Sequence, residues 1–232
     1  MKIIELQSVG STNDYAKGFA KQGASSGTVI WAREQTAGRG RQGNEWISAP
    51  GNLFMSMILK PKVDVEHIGQ LSFLFAVSLA SVLETVIPAS AEIHLKWPND
   101  LLINQKKAAG ILIETESQAT WVVVGIGLNI TNAPEGAISL QEIGVNAHNA
   151  ESILQLLAKE MQKRIEHWEK NGFQTIRAAW LKRAYKLGRE IRARFPKETL
   201  TGVFEGIDMT GALQLKMSDG TVRLMNSGEV FI

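Results

Sequence analysis

Glu34-Gln35-Thr36-Ala37-Gly38-Arg39-Gly40-Arg41-Gln42-Gly43-Asn44-Glu45-Trp46 sets two arginines in a loop carrying three glycines. Glycine allows positive φ and close backbone approach, and an arginine fork is planar, permanently charged and matched to carboxylate and phosphate. The stretch can therefore close over an anion, with Trp46 as a flat apolar face nearby. The same string also fits the dinucleotide fingerprint GxGxxG, which requires a strand leading straight into the first glycine and a helix opening at the last. Context argues against that reading. The apolar run Thr28-Val29-Ile30-Trp31 stops before Gly38, and Ile47-Ser48-Ala49-Pro50-Gly51-Asn52 cannot start a long helix. Taken alone, the loop also fits a solvated arginine-glycine turn.

Outward from the loop, the pattern is α+β. Ile3 to Leu6 reads as a strand, and Ser11-Thr12-Asn13-Asp14 offers N-cap side chains for a helix to about Lys21. Strands follow at Thr28 to Ala32 and Asn52 to Leu59, the second alternating through Leu53, Met55, Met57 and Leu59. Ile68, Leu71, Phe75, Leu79, Val82 and Val86 predict a long amphipathic helix. Three closely spaced strands come next. Leu154, Leu157, Met161, Ile165 and Trp168 then mark another helix, and a further one is expected from Phe173 to Lys186. Helices in blocks among runs of strands argue for a mixed or antiparallel sheet with helices mainly on one face. From about Leu187 the chain changes to short strands: Ile191 to Phe195, Thr199 to Phe204, Ala212 to Met217 and Val222 to Leu224. They are punctuated by Pro196, Asp208-Met209-Thr210-Gly211 and Ser218-Asp219-Gly220, as in a small barrel.

Composition narrows the chemistry. The 232 residues are 44% hydrophobic, enough for a full core, in one large domain or a large and a small one. With no cysteine there is no disulfide, thiolate nucleophile or cysteine zinc site, and the four histidines lack metal-ligand spacing. The apolar run at the N-terminus is too short for a signal peptide, and Leu71 to Leu83 is too short to span a bilayer, so a cytoplasmic protein without a membrane partner is expected. A net charge of +2 does not by itself point to nucleic acid.

A second cluster supplies the chemistry. Lys96-Trp97-Pro98-Asn99-Asp100 precedes the probable strand Leu101-Leu102-Ile103-Asn104, and Lys107-Ala108-Ala109-Gly110-Ile111-Leu112-Ile113-Glu114 follows. Trp121 to Ile130 is a long β run whose Gly125 and Gly127 leave room for something to lie against it. With Gly10-Ser11-Thr12-Asn13 and the arginine loop, these segments resemble, in order and spacing, the catalytic domain of biotin protein ligases. The resemblance covers nearly the whole chain. It implies a class II synthetase-like catalytic domain, residues 1–186, and an SH3-like barrel, residues 187–232, with Gly206-Ile207-Asp208 and Ser227-Gly228-Glu229-Val230 in the expected places.

The resemblance further implies ATP-dependent conversion of biotin to biotinyl-5'-AMP and transfer to a lysine of a biotin carboxyl carrier protein. Such chemistry needs no covalent protein nucleophile, only positioning and fixed positive charge. By the same resemblance Lys107 sits between the biotin carboxylate and the α-phosphate, and Arg39 and Arg41 close over the anions, with Gly38 and Gly40 in the biotin loop. Ser11, Thr12, Asn13 and Gln35 meet the ureido ring, Trp46 stacks on adenine, Asn99 and Asn129 contact the base or phosphates, and Asp100 holds Mg²⁺ or its water.

Other readings stay open. Ser11 and Thr12 also suit simple helix capping, Trp97 beside Pro98 suits packing better than binding, and Glu114 is left unassigned. The basic run Lys182, Arg183, Lys186, Arg189, Arg192, Arg194 and Lys197 reads as a solvated face, or as a contact to phosphates or an acidic acceptor. Its only aromatics are Tyr185 and Phe195, few for a nucleic-acid module. Ten residues before Ser11 are too few for the helix-turn-helix of the repressor relatives, so no DNA partner is expected. Lipoate ligase is the nearest rival, disfavoured because that family has a double arginine and a glycine run where this chain has Gly38-Arg39-Gly40-Arg41. Many family members pair through sheet edges, which makes a homodimer the expected assembly if there is one.

Overall fold

Seven strands form the larger sheet of the computed structural model, which describes residues 1–116, 120–194, 198–226 and 228–231. Phe195, Pro196, Lys197 and Ser227, named above, lie outside the described residues. The strands are β1 (Lys2–Val9), β2 (Thr28–Gln35), β3 (Leu53–Leu59), β4 (Ile93–Lys96), β5 (Asp100–Ile103), β6 (Lys106–Thr115) and β7 (Val122–Leu128). They lie in the order β1-β2-β3-β7-β6-β5-β4, with β1 parallel to β2 and every other pair antiparallel. This is the mixed sheet that the pattern predicts. Strand β2 runs on to Gln35, and no helix follows the glycines, so the dinucleotide fold is excluded.

Alternation divides the sheet into two faces. On one, Leu53, Met55, Met57 and Leu59 join Val122, Val124, Ile126 and Leu128 in the main core. On the other, Ile58 and Val123 pack with Ala16 and Ala20 of helix α1 (Thr12–Lys21). The main core is covered by α2 (Gln70–Leu83), itself overlaid by α3 (Ala150–Asn171) and α4 (Gln174–Leu181). Helix α2 is shorter than its apolar pattern and is buried all round instead of amphipathic, because α3 and α4 cover the side that would have met water. Arg164 of α3 donates to Ser81 Oγ, the one α2 residue that is not buried, at 2.9 Å. Among the described residues, Val65–Leu83 is the one helical stretch long and apolar enough to cross a membrane, and 72% of its apolar window is buried inside the protein.

Helix α4 stops at Leu181, short of the expected Lys186. The following segment is drawn instead onto the edge of β4, where Leu95 N donates to Arg183 O (2.8 Å) and Tyr185 N to Leu95 O (2.9 Å). Backbone groups of an edge strand find partners this way.

The remaining strands, β8 (Glu190–Arg194), β9 (Thr199–Ile207), β10 (Leu213–Lys216), β11 (Val222–Met225) and β12 (Glu229–Phe231), make an antiparallel five-stranded sheet. Its 207–211 segment is clamped to α2, to α4 and to the turn between β4 and β5. Trp97 Nε1 donates to Gly211 O (3.1 Å), Gln70 Nε2 to Met209 O (2.8 Å) and Arg177 Nε to Ile207 O (2.6 Å). Trp97 is thus a packing residue, as its neighbour Pro98 suggests, and it ties the two sheets together. The clamp brings Gly228 and Glu229, at the start of β12, to the mouth of a cavity on the α1 side of the large sheet.

Candidate active site

Strand register builds the cavity. Cross-strand partners on the α1 face form three rows: Ile58, Val123 and Glu114; Ser56, Gly125 and Leu112; Phe54, Gly127, Gly110 and Asp100. The last two rows lack side chains at Gly125, Gly127 and Gly110, which leaves a trough in an otherwise filled face. The chain's own side chains enter it. A Cβ at Gly125 would overlap Asn13 Oδ1, one at Gly127 would overlap the Trp46 indole, and one at Gly110 would come within 2.9 Å of the same ring. The result is a cavity that opens to solvent on the α1 face of the sheet.

Of the residues expected at the site, Ser11, Thr12, Asn13, Gln35, Arg39, Gly40, Arg41, Trp46, Asn99, Asp100 and Lys107 line this one cavity. Two do not. Gly38 is buried under Ser48 Oγ and the Trp46 carbonyl, so its lack of a side chain serves loop packing. Asn129 is also buried, its amide directed to the carbonyls of Lys107 (3.5 Å) and Ile138 (3.4 Å). It supports the backbone of Lys107 and is not among the residues that line the cavity.

At one end the floor is a connected polar network. Ser11 takes the N-cap position of α1, but its hydroxyl makes no capping bond, so the capping alternative accounts for its backbone and not its side chain. Thr12 donates to Gln35 Oε1 through both N–H (2.8 Å) and Oγ1–H (3.0 Å), and Gln35 Nε2 donates to Ser48 Oγ (3.1 Å). Fully buried Ser56 lies 2.8 Å from Thr12 Oγ1 and 2.6 Å from Asn13 Oδ1. Asn13 Nδ2 donates to Glu114 Oε2 at 2.8 Å. Buried polar groups without partners cost about 1–3 kcal/mol each, and these groups largely meet that need among themselves, which fixes their donors and acceptors in place.

The two arginines, alike in sequence, differ in place. Arg39 forks onto Asp14 (2.7 Å) and Glu114 (2.8 Å), which also share Lys17. Burial works against the Glu114 carboxylate, yet hydrogen bonds from Asn13, Lys17 and Arg39 hold it below its ordinary range. Arg39 therefore lines the cavity from an anchored position, held by two carboxylates of its own chain. Arg41 is half-buried and donates only to the neutral Asn99 Oδ1 at 3.2 Å. Among the described residues no carboxylate lies within ion-pair reach of it. Burial lowers its pKa, partly offset by the charges of Asp100 and Glu229. A desolvated, unpaired guanidinium is a ready receptor for phosphate. The loop that carries both arginines is a small hairpin closed by Gly40 N to Asn44 O (2.7 Å) and Trp46 N to Gly38 O (2.9 Å).

Lys107 completes the wall. Its Nζ is 2.7 Å from Asp100 Oδ1, an ion pair whose angle falls outside hydrogen-bond alignment, and 5.5 Å from the Trp46 ring centroid. Asn99 is fixed by Nδ2 to Ile111 O at 2.8 Å. None of the described residues of the basic run lines the cavity. Arg183 pairs with Glu84 (2.7 Å), and Arg194 pairs with Glu229 (2.9 Å), which does line it. Sequence reasoning missed Ser56, Ser48, Asp14 and Glu229 and left Glu114 unassigned. Ser56 carried a signal, a lone hydroxyl in the apolar run Leu53 to Leu59; the others carried none.

Known proteins share this architecture. Residues 5–130 match the biotin/lipoate A/B protein ligase family, and residues 186–232 match the biotin protein ligase C terminal domain. The chain is 38% identical to a biotin--[acetyl-CoA-carboxylase] ligase of Paracoccus denitrificans, over 95% of this chain and 96% of that protein. It is 33% identical to the bifunctional ligase/repressor BirA of Bacillus subtilis (strain 168), over 97% of this chain and 72% of that one. Among solved structures, the biotin protein ligase from Aquifex aeolicus in complex with biotin and ATP superposes with a TM-score of 0.86 at 28% identity, covering 99% of this chain and 97% of the other. With the mixed sheet, the small C-terminal sheet and a cavity that gathers the motif residues, these matches establish that the chain belongs to the biotin protein ligase family.

Proposed function

We propose that this protein joins biotin to ATP, giving biotinyl-5'-AMP and pyrophosphate, and then transfers biotin to a lysine of a biotin carboxyl carrier protein. One observation carries the reading: a single cavity sets a floor of matched donors and acceptors beside a wall holding an unpaired arginine, a lysine and an indole face. In the first step a biotin carboxylate oxygen attacks the α-phosphorus and the bond to pyrophosphate breaks. In the second, the acceptor amine attacks the biotinyl carbonyl, AMP leaves and the amine loses a proton. Both steps need anions held together and growing charge stabilised, which fixed cations supply. Lys107, oriented by Asp100, and Arg41 fill that role, and Ser11, Thr12, Asn13 and Gln35 hold the ureido head. Trp46 offers the adenine a stacking face.

The second sheet, residues 187–232, is read as an accessory domain to a catalytic domain of residues 1–186, adding Glu229 to the site. Mg²⁺ commonly binds through one or two carboxylates plus substrate phosphates. Asp100 fits as that single ligand through the carboxylate oxygen that Lys107 does not hold, and the ion would supply further neutralisation of phosphate charge. The cytoplasm is the matching compartment for ATP and for an acceptor that is a carboxylase subunit. Pyrophosphate exchange into ATP, measured with biotin and separately with lipoate, tests the reading. Exchange with biotin alone, followed by labelling of a carrier domain, is expected; exchange with lipoate alone would overturn it.

A further inference from the structure

We propose that Glu114 is a positioning residue that sets the donor and acceptor polarity of the cavity floor, and so makes the floor selective for a ligand head that presents N–H groups to it. The inference rests on the biotin reading above, which does not itself assign Glu114.

Glu114 stands at the end of an unbroken hydrogen-bond chain. From the other end, Ser48 Oγ–H donates to Trp46 O, Gln35 Nε2 to Ser48 Oγ, and Thr12 Oγ1–H to Gln35 Oε1. Ser56 follows, within reach of both Thr12 Oγ1 and Asn13 Oδ1, and Asn13 Nδ2 donates to Glu114 Oε2. An ionised carboxylate only accepts. Lys17 (2.9 Å) and Arg39 (2.8 Å) keep this one ionised, so Asn13 must turn its NH₂ to Glu114 and its Oδ1 away. The Ser56 hydroxyl has a single proton for two acceptor oxygens. Thr12 and Asn13 both line the cavity, and Asn13 Oδ1 stands over the bare surface of Gly125, so acceptor lone pairs are left over at the floor. A floor offering acceptors calls for donors, which a cyclic urea has on both nitrogens. Leu112 O, at 3.4 Å, is a second and longer acceptor for Asn13 Nδ2, so with a neutral amide at 114 the orientation of Asn13 would rest on that contact alone.

Direct binding of biotin and of ATP to the full-length protein, by calorimetry, tests this. Glu114→Gln keeps the shape and is expected to weaken biotin about ten to a hundredfold, the effect of leaving one buried donor of the ligand head without its acceptor once Asn13 turns, with ATP affinity changed less than about twofold. Adding Asn13→Asp to Glu114→Gln lets the new glutamine donate to a carboxylate at position 13, again leaving acceptor oxygens toward the cavity. That pair is expected to recover most of the lost biotin affinity. Unchanged biotin affinity in Glu114→Gln, even with a lowered melting temperature, would make Glu114 a structural carboxylate and overturn the proposal. So would equal losses for biotin and ATP, or a double variant no better than the single one. Failure of the unsubstituted protein to bind biotin would instead remove the functional reading, and this inference with it.

Discussion

Adding one methyl group at Gly125 or at Gly127 should damage two different binding events, although the residues are two apart on one strand. At Gly125 the new Cβ would overlap Asn13 Oδ1. Asn13 cannot retreat cheaply, because Ser56 at 2.6 Å and Glu114 at 2.8 Å hold its two amide atoms. Relieving the overlap costs about 1–3 kcal/mol for overpacking, or breaks one or two of these bonds at about 1 kcal/mol each. At about 1.4 kcal/mol per tenfold, Gly125→Ala should weaken biotin binding by roughly ten to a hundredfold. At Gly127 the Cβ would overlap the Trp46 indole, whose Nε1 has no hydrogen-bond partner to hold it. The ring should shift off the sheet, so Gly127→Ala should weaken ATP by a similar factor and spare biotin. Neither glycine has a positive φ, so the effect is steric and not one of backbone strain. Calorimetric titration of each variant with biotin and ATP separately reads both numbers. If both variants lose the same ligand, or neither loses any, the division of the trough into a head end and a nucleotide end is wrong.

Lys107→Ala should slow adenylate formation by roughly two to three orders of magnitude with the fold intact, the range for loss of one preorganised charge-stabilising donor; single-turnover formation of biotinyl-AMP near the unsubstituted rate would take Lys107 out of the mechanism. Arg41→Gly should still make the adenylate but release it about ten to a hundredfold faster, since a charge-assisted anchor is worth about 1.5–3 kcal/mol, and biotin should then appear on bystander proteins mixed with the acceptor. Trp97→Phe removes the donor to Gly211 O and leaves a buried carbonyl short of a partner, so calorimetry should show about 1–3 kcal/mol less stability. Glu114 and Asp14 both have lowered carboxyl pKa values in the fold, where burial opposes the charge but Lys17 and Arg39 outweigh it. Their contribution is full above the ordinary values of 4.5 and 3.8 and is lost as pH falls through the lower folded values, so melting temperatures from pH 7 down to pH 3 should fall less steeply in Glu114→Gln.

Local chemistry wrote much of this protein into its sequence. The alternation of Leu53, Met55, Met57 and Leu59 is a property of neighbouring residues and announces a half-buried strand wherever it occurs; so does the polar cluster before α1 announce a helix start. Motif strings brought eleven of the expected site residues to one cavity, because residue type and spacing limit the chemistry a loop or strand end can do. What the string could not carry was anything decided by a partner far along the chain. Whether α2 is amphipathic or wholly buried depends on α3 and α4 lying over it. The end of α4 depends on a β4 edge some ninety residues earlier in the chain that takes up Arg183 and Tyr185. Arg39 and Arg41 are chemically identical and two residues apart, yet one is neutralised by Asp14 and Glu114 while the other is left unpaired and desolvated. Nothing in the residues around Asn129 says that its amide turns to the carbonyls of Lys107 and Ile138. Short-range periodicity and residue chemistry are local and can be read in order. Charge state, burial and the pairing of donors with acceptors belong to three-dimensional neighbours, and only folding selects them.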